Sequence, residues 1–186
     1  IVNATSGVDG VGEGEAFDFN GTDSAIEVSD SPSLSGLTEF TISSWLNLDS
    51  GGSFQGIVSK GPDVSGTGST EFKLLVASSD FVRFAISSGS TEQEITSTGP
   101  LKLSQWSHVA ATWDGLNMAI YINAALAATG ERASMQDTTS NLLIGANPDG
   151  SSGAATSAAN FIDGKIDEVR FYNQALDSHQ IWQLYS

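Results

Sequence analysis

The sequence predicts an all-β chain, a sandwich or jelly roll of antiparallel strands, with one short C-terminal helix. Three observations carry this. Short apolar or alternating runs recur along the length, and alternation sends successive side chains to opposite faces of a strand. Clusters of Gly, Ser, Asn and Asp separate the runs, and 20 glycines in 186 residues supply turns. No helical pattern stands between the runs, which argues against alternating α/β architectures.

The elements follow in order. Residues 1–14, IVNATSGVDGVGEG, read as an edge strand and a Gly-rich lead-in. Strands are expected at 15–20, 25–29, 39–48, 55–60, 71–78 and 81–87. Further strands are expected at 92–97, 106–113, 117–123, 125–130, 141–146 and 161–173. The tail ALDSHQIWQLYS has a capping residue in Asp177 or Ser178, and Ile181, Leu184 and Tyr185 then share a helical face. There is no internal repeat, and the length fits one domain, 1–186.

Hydrophobic residues make up 39%, enough for a core, and no apolar run approaches the ~18 residues of a membrane span. The chain opens at Ile1 without a Met and without a leader pattern, as expected for a module excised from a larger multidomain protein or for a processed form. The absence of cysteine removes disulfides, thiol catalysis and thiolate metal sites. The net charge of −15 opposes nucleic acid and bare anionic polysaccharides. Such a surface solubilises, and it also suits calcium, which takes oxygen ligands.

One stretch resists the simple pattern. In FIDGKIDEVRFYNQAL, residues 161–176, strict alternation puts Ile166, Glu168, Arg170 and Tyr172 on one face and Asp167, Val169 and Phe171 on the other. A carboxylate then opens an apolar face. Such a group needs water, a cation or several hydrogen-bond donors.

Three segments occur together in a telling order: AFDFNGTDSAIEVSDSPSLSGLTEFTISSWLNLD at 16–49, LSQWSHVAATWDGLNMAIYIN at 103–123, and FIDGKIDEVRFYNQALDSHQIWQLY near the C-terminus. This pattern, over roughly residues 14–186, resembles the laminin-G-like domains, concanavalin-A-like jelly-roll modules that are also similar to pentraxins. The resemblance implies a two-sheet fold and extracellular binding of carbohydrate or glycosylated protein, often with calcium. It points to a secreted or cell-surface, bacterial carbohydrate-binding module. Two departures stand out. The family's YVDG hairpin is YINA at 121–124, and loss of its Gly favours a longer loop. The upstream strand is also shortened to residues 1–14.

Catalysis finds little support. Retaining glycosidases of this fold need two carboxyls ~5 Å apart. Glu92 and Glu94 share a strand face without the flanking apolar pattern, and read as solvated. The Arg/His/Tyr set of jelly-roll lyases is missing. His108 lies in a strand and His179 on the C-terminal helix, with no base–nucleophile arrangement around either. The expectation is a noncatalytic module; an adhesive protein-binding module and a glycosidase or lyase of the same fold are the alternatives.

Calcium (Ca2+) has candidate oxygens in two settings. Terminal strands lie side by side in the family fold, which implies Asn20, Gly21 and Asp23 close to Asp167 and a shared ion there. The alternative for Asp167 is a set of backbone N–H bonds at a bulge. The loops 61–71 and 145–160 each open with Gly and carry Pro-Asp, and both are long for hairpin turns. Similarity to pentraxins places the calcium-dependent ligand site there, with Asp63, Glu71, Asn147, Asp149 and Asn160 binding a glycan. The alternative is two flexible Ser/Gly loops. The four tryptophans, Trp182 included, read as packing residues.

Overall fold

The computed structural model describes residues 3–12, 14–62, 70–89, 91–148 and 158–186. Seven strands form one antiparallel sheet: β1 (Thr5–Asp9), β2 (Glu15–Asn20), β4 (Phe40–Leu48), β9 (Ser107–Trp113), β10 (Asn117–Ile122), β11 (Ala125–Glu131) and β15 (Asp163–Tyr172). Their spatial order is β1-β2-β15-β4-β9-β10-β11. The second sheet has six strands: β3 (Ile26–Val28), β5 (Gln55–Lys60), β6 (Phe72–Val76), β7 (Phe81–Ser87), β8 (Glu92–Pro100) and β12 (Leu142–Ile144). They run in the order β3-β12-β5-β6-β7-β8. A small hairpin joins β13 (Asn147–Pro148) to β14 (Ala158–Ala159).

The sheets face each other over one apolar core. In β4, alternate residues Phe40, Ile42, Leu46 and Leu48 point inward and are fully buried, as period-two patterning demands. Phe40 anchors an aromatic cluster with Phe72, Phe84, Trp113 and Phe171, at ring separations of 4.9 to 5.9 Å. The opposite face of the seven-stranded sheet is half covered by helix α1 (Ser178–Tyr185). There Ile181, Leu176 and Ala110 form a second, smaller core, with Tyr121, Tyr172 and Leu184 against it. Asp177 is the N-cap, and its carboxylate and the Gln180 side chain form a reciprocal capping box. No helix among the described residues is long and apolar enough to cross a membrane.

Two local expectations need correction. The hairpin at 121–124 is not a longer loop. Ile122 pairs with Ala125, so Asn123 and Ala124 form a two-residue turn with φ of 49° and 63°. Positive φ at both central positions matches the primed turn of a tight hairpin, here without glycine. The Asn123 backbone N–H and side-chain oxygen clamp the turn to the carbonyl and N–H of His108, which offsets the steric cost at Ala124.

The second correction concerns β15. Its register on β4 shifts between Asp167 and Arg170, and Glu168 sits at φ 50°. This is a β-bulge, and it resets the alternation. Ile166 points into the core before it; Val169 and Phe171 point into the core after it. Asp167 therefore does not share their face.

Candidate functional site

The expected calcium pair across the terminal strands is not assembled. Asn20 lies opposite Asp163 in the β2–β15 register, four residues from Asp167. At roughly 3.3 Å per residue that is on the order of 13 Å along the strand. Gly21 also packs on Asp163, since a Cβ there would stand 2.8 Å from that residue's own Cβ. The donors at this turn are occupied with N–H groups. The Asn20 side-chain oxygen accepts from the backbone of Thr22 and Asp23, at 3.0 and 3.1 Å. The Asp23 carboxylate accepts from the amides of Asn20 and Asn3, both at 2.8 Å. Asp167 accepts the backbone N–H of Val11 at 2.9 Å and of Glu168 at 2.7 Å. Its carboxylate thus pins the lead-in loop to the bulge. These residues do not fit a calcium ion, and no three acidic or histidine side chains converge as a metal site among the described residues.

The two loops expected to form one rim hang from opposite ends of β5. At one end, Lys60 and Glu71 pair through backbone and side chain, at 2.8 and 2.6 Å. At the other, Gly56 donates to the Asn160 carbonyl at 2.7 Å. Gly56 also lies so close to Ala146 that a Cβ would come within 2.3 Å of its carbonyl carbon. Four residues of strand, again about 13 Å, separate the two ends.

Glu71 is not a rim ligand at all. Glu71 and Lys60 are both fully buried, and Thr138 donates to the Glu71 carboxylate from its N–H and its hydroxyl. Lys60 completes its three bonds on the Thr138 carbonyl and on Asp30. Burial pushes the Glu71 carboxyl up, against the opposing pull of Lys60 and Thr138. Asn147 is buried in β13, and its side-chain oxygen has no partner. Asn160 is exposed, with φ 52°. Asp63 and Asp149 lie outside the described residues.

The catalytic candidates are consumed by structure. Glu92 pairs with Lys73 and Glu94 with Arg83 on the outer face of the six-stranded sheet, at 3.1 and 3.3 Å. Ser43 and His108 share a 2.9 Å hydrogen bond, but both are buried beneath Trp45 and Tyr185, and His108 Nδ1 meets no carboxylate. Burial, then the Arg170 charge, lower the His108 pKa to about 4. This neutral imidazole is a packing group.

What sequence reasoning missed is a groove of about 690 Å³ on the outer face of the seven-stranded sheet. Its floor is the outward face of β9, β10 and β11, where Thr112, Ala119 and Thr129 sit side by side in register. Tyr121 and Leu176 close one side, and Glu39, Asp114, Glu131 and Asp177 supply the rim. Burial and the nearby Asp177 charge hold the Tyr121 phenol above its usual range, so it stays a neutral donor. The small floor residues leave the slot, and the helix start forms its wall. These residues lie far apart in the chain, and no local motif marks them. A second missed feature is Trp182, which is 53% exposed and stacked on His179.

Over residues 20–182 the chain matches a laminin-G family model, described as the concanavalin A-like lectin/glucanases superfamily. The chain belongs to that superfamily. Among curated proteins, none matches it in sequence. Several solved structures share the fold. Domain 4 of an extracellular arabinanase from Geobacillus stearothermophilus, solved with arabinotriose, has a TM-score of 0.73 and 18% identity, covering 100% of this chain and 82% of that one. The carbohydrate-binding module of a Ruminococcus gnavus sialidase, bound to α2,3-sialyllactose, has a TM-score of 0.69 and 15% identity, covering 91% and 97%. A heptameric pentraxin from Limulus polyphemus has a TM-score of 0.65 and 19% identity, covering 91% and 80%.

Proposed function

We propose that this concanavalin A-like chain is a noncatalytic carbohydrate-binding module of a secreted or cell-surface protein, and that the outer-face groove is its glycan site. The observation that carries the reading is the groove's make-up. It combines a tyrosine ring, threonine hydroxyls and carboxylate acceptors on one rigid sheet. Flat apolar surface and fixed hydrogen-bonding groups together are what a sugar's two kinds of surface require. The solved relatives bound to arabinotriose and to sialyllactose support the ligand class. The Ser43–His108 pair is buried, and Glu92 and Glu94 are each ion-paired to a cation, which supports binding without turnover.

A glycan array of neutral and acidic oligosaccharides tests this reading, run on the chain and on its Tyr121→Ala and Thr129→Trp variants. Binding to a glycan family that both substitutions remove supports it. Binding that survives both places the ligand elsewhere and rejects the groove. Calcium stands as a separate proposal, on the side of 145–160. There the buried, unpartnered oxygen of Asn147 is a calcium-type donor, two positions before Asp149 in the sequence. An array repeated in EDTA reads it directly.

A protein-binding role is the second reading. The observation in its favour is Trp182, half exposed beside His179 on the solvent side of α1, since exposed tryptophan is a common interface anchor. Trp182→Ala leaves glycan binding unchanged on the first reading and abolishes partner capture on the second.

A further inference from the structure

The flank of the sandwich between β15 and β3 holds a cavity that the glycan reading does not use. Strand β2 pairs with β15 only over residues 163–166, ending at Ile166 opposite Phe17 where the bulge of β15 begins, and β2 itself extends no further than Glu15. The bulge then turns Val169 inward beyond the point where β2 provides cover. The two sheets stand open there around about 310 Å³, lined by Phe17, Ile26, Ile144, Ile166 and Val169. A smaller space of about 190 Å³ shares Ile144 and Val169 and runs on toward Phe171. The larger volume is at the lower end of what small-molecule pockets occupy, and an apolar lining with a few polar groups is their usual make-up.

The polar groups are all at the mouth, and they are acids: Glu15, Asp167 and Glu168. Glu168 pairs with Arg170. Asp167 accepts two backbone N–H groups. Glu15 shares the inward side of β2 with Phe17 and Phe19 by alternation, and has no ion-pair partner among the described residues. Three carboxylates against one guanidinium leave the mouth negative, on a chain of net charge −15.

We propose that this inter-sheet cavity binds a small amphipathic cation, with its alkyl or aryl body between Ile144, Ile166 and Val169 and its ammonium group among Glu15, Asp167 and Glu168. The apolar body gains from leaving water, and the acidic mouth selects the head group. An anionic amphiphile of the same body meets like charge and is disfavoured. The site lies inside the sandwich and the glycan groove on its outer face, so the two readings stand or fall separately.

Isoleucine methyl NMR on the full chain tests the proposal, with hexyl-, octyl- and decyltrimethylammonium below their micelle-forming concentrations and decyl sulfate as the anionic control. Saturable shifts are expected at Ile26, Ile144 and Ile166, with Ile181 under the helix unmoved. Affinity should rise by up to about fourfold per added methylene until the cavity is full. Decyl sulfate should bind about tenfold more weakly than the ammonium. Glu15→Gln should weaken the ammonium several-fold and leave decanol binding unchanged. Equal affinity for sulfate and ammonium, or shifts scattered over all isoleucines without saturation, would overturn the proposal. The wild-type titration decides this even if Glu15→Gln fails to fold.

Discussion

Asp167 and Glu71 are two acids embedded in strand-rich surroundings, and the molecule treats them in opposite ways. The pattern around Asp167 suggests a carboxylate in want of a cation; two backbone N–H groups satisfy it instead. Glu71 looks free at the end of a polar loop, yet it is fully buried against the equally buried Lys60. The difference teaches where a charge's partner comes from. A bulge turns backbone donors toward a side chain locally. An ion pair needs two strands to bring distant residues into register, as Lys60 of β5 and Phe72, next to Glu71, are brought by β5 and β6.

The largest expected effect breaks the Glu71 side. Glu71→Ala strands a buried ammonium and should cost about 3–5 kcal/mol, lowering the melting temperature on the order of 10 °C. The double change Lys60→Met with Glu71→Leu should recover most of that loss, because two desolvated charges are replaced by apolar volume. A double mutant as unstable as the single would mean that Asp30 and Thr138 depend on the pair in ways burial alone does not capture.

A third buried ionisable group sharpens the contrast through pH. His108 is neutral in the fold, its pKa lowered to about 4 from 6.5 by burial and then by Arg170. A lowered folded-state pKa means that the unfolded chain takes up the proton first. The stabilisation is complete above pH 6.5 and is lost as pH falls toward 4, by about 3 kcal/mol at most. Glu71 works in the opposite direction, since burial raises its pKa and the folded chain then takes up the proton before the unfolded one does. Denaturant melts from pH 7 to pH 4 should therefore fall less steeply in His108→Gln than in the wild type. Identical slopes would show His108 charged within the fold.

The Asp167 side is the smaller effect. Asp167→Ala removes the acceptor of two backbone N–H groups and should cost about 1–3 kcal/mol. Chelator should leave this difference unchanged, because the terminal strands bring no metal ligands together; a calcium ion on the side of 145–160 would shift the wild-type and Asp167→Ala melts equally. A melting temperature that EDTA lowers in the wild type but not in Asp167→Ala would reinstate a metal at that strand.

Most strands were legible because burial on one face imposes period two, and Phe40, Ile42, Leu46 and Leu48 show it directly. The helix was legible through its Asp177 cap. The bulge was legible only as the alternative raised for Asp167, since a single Glu at positive φ leaves no compositional trace and flips the facing of every residue after it. Nor was the end of β5 to which each loop belongs, because that depends on pairing Lys60 with Leu142 and Val58 with Ile144. The groove was hidden for a related reason: its walls come from residues 39, 112–131 and 175–177, which only the strand order makes neighbours.

The smallest effect concerns a residue that, like Glu168, holds a left-handed backbone without being glycine. Ala124 at φ 63° is the second central residue of the 121–124 hairpin, and its Cβ opposes that conformation. Ala124→Gly removes the opposition but gives the unfolded chain more freedom. Relief of the αL cost of roughly 1–2 kcal/mol exceeds that entropic penalty of roughly 0.5–1 kcal/mol, so the variant should be slightly more stable, by under about 1 kcal/mol. The reciprocal hydrogen bonds between Asn123 and His108 hold the turn in either case, so the hairpin register should not change. A small rise in denaturant midpoint at constant slope is the expected reading. A fall would show that the entropic penalty outweighs the steric relief at Ala124. It would also place the tightness of the turn in the Asn123 contacts rather than in the left-handed preference of its second residue.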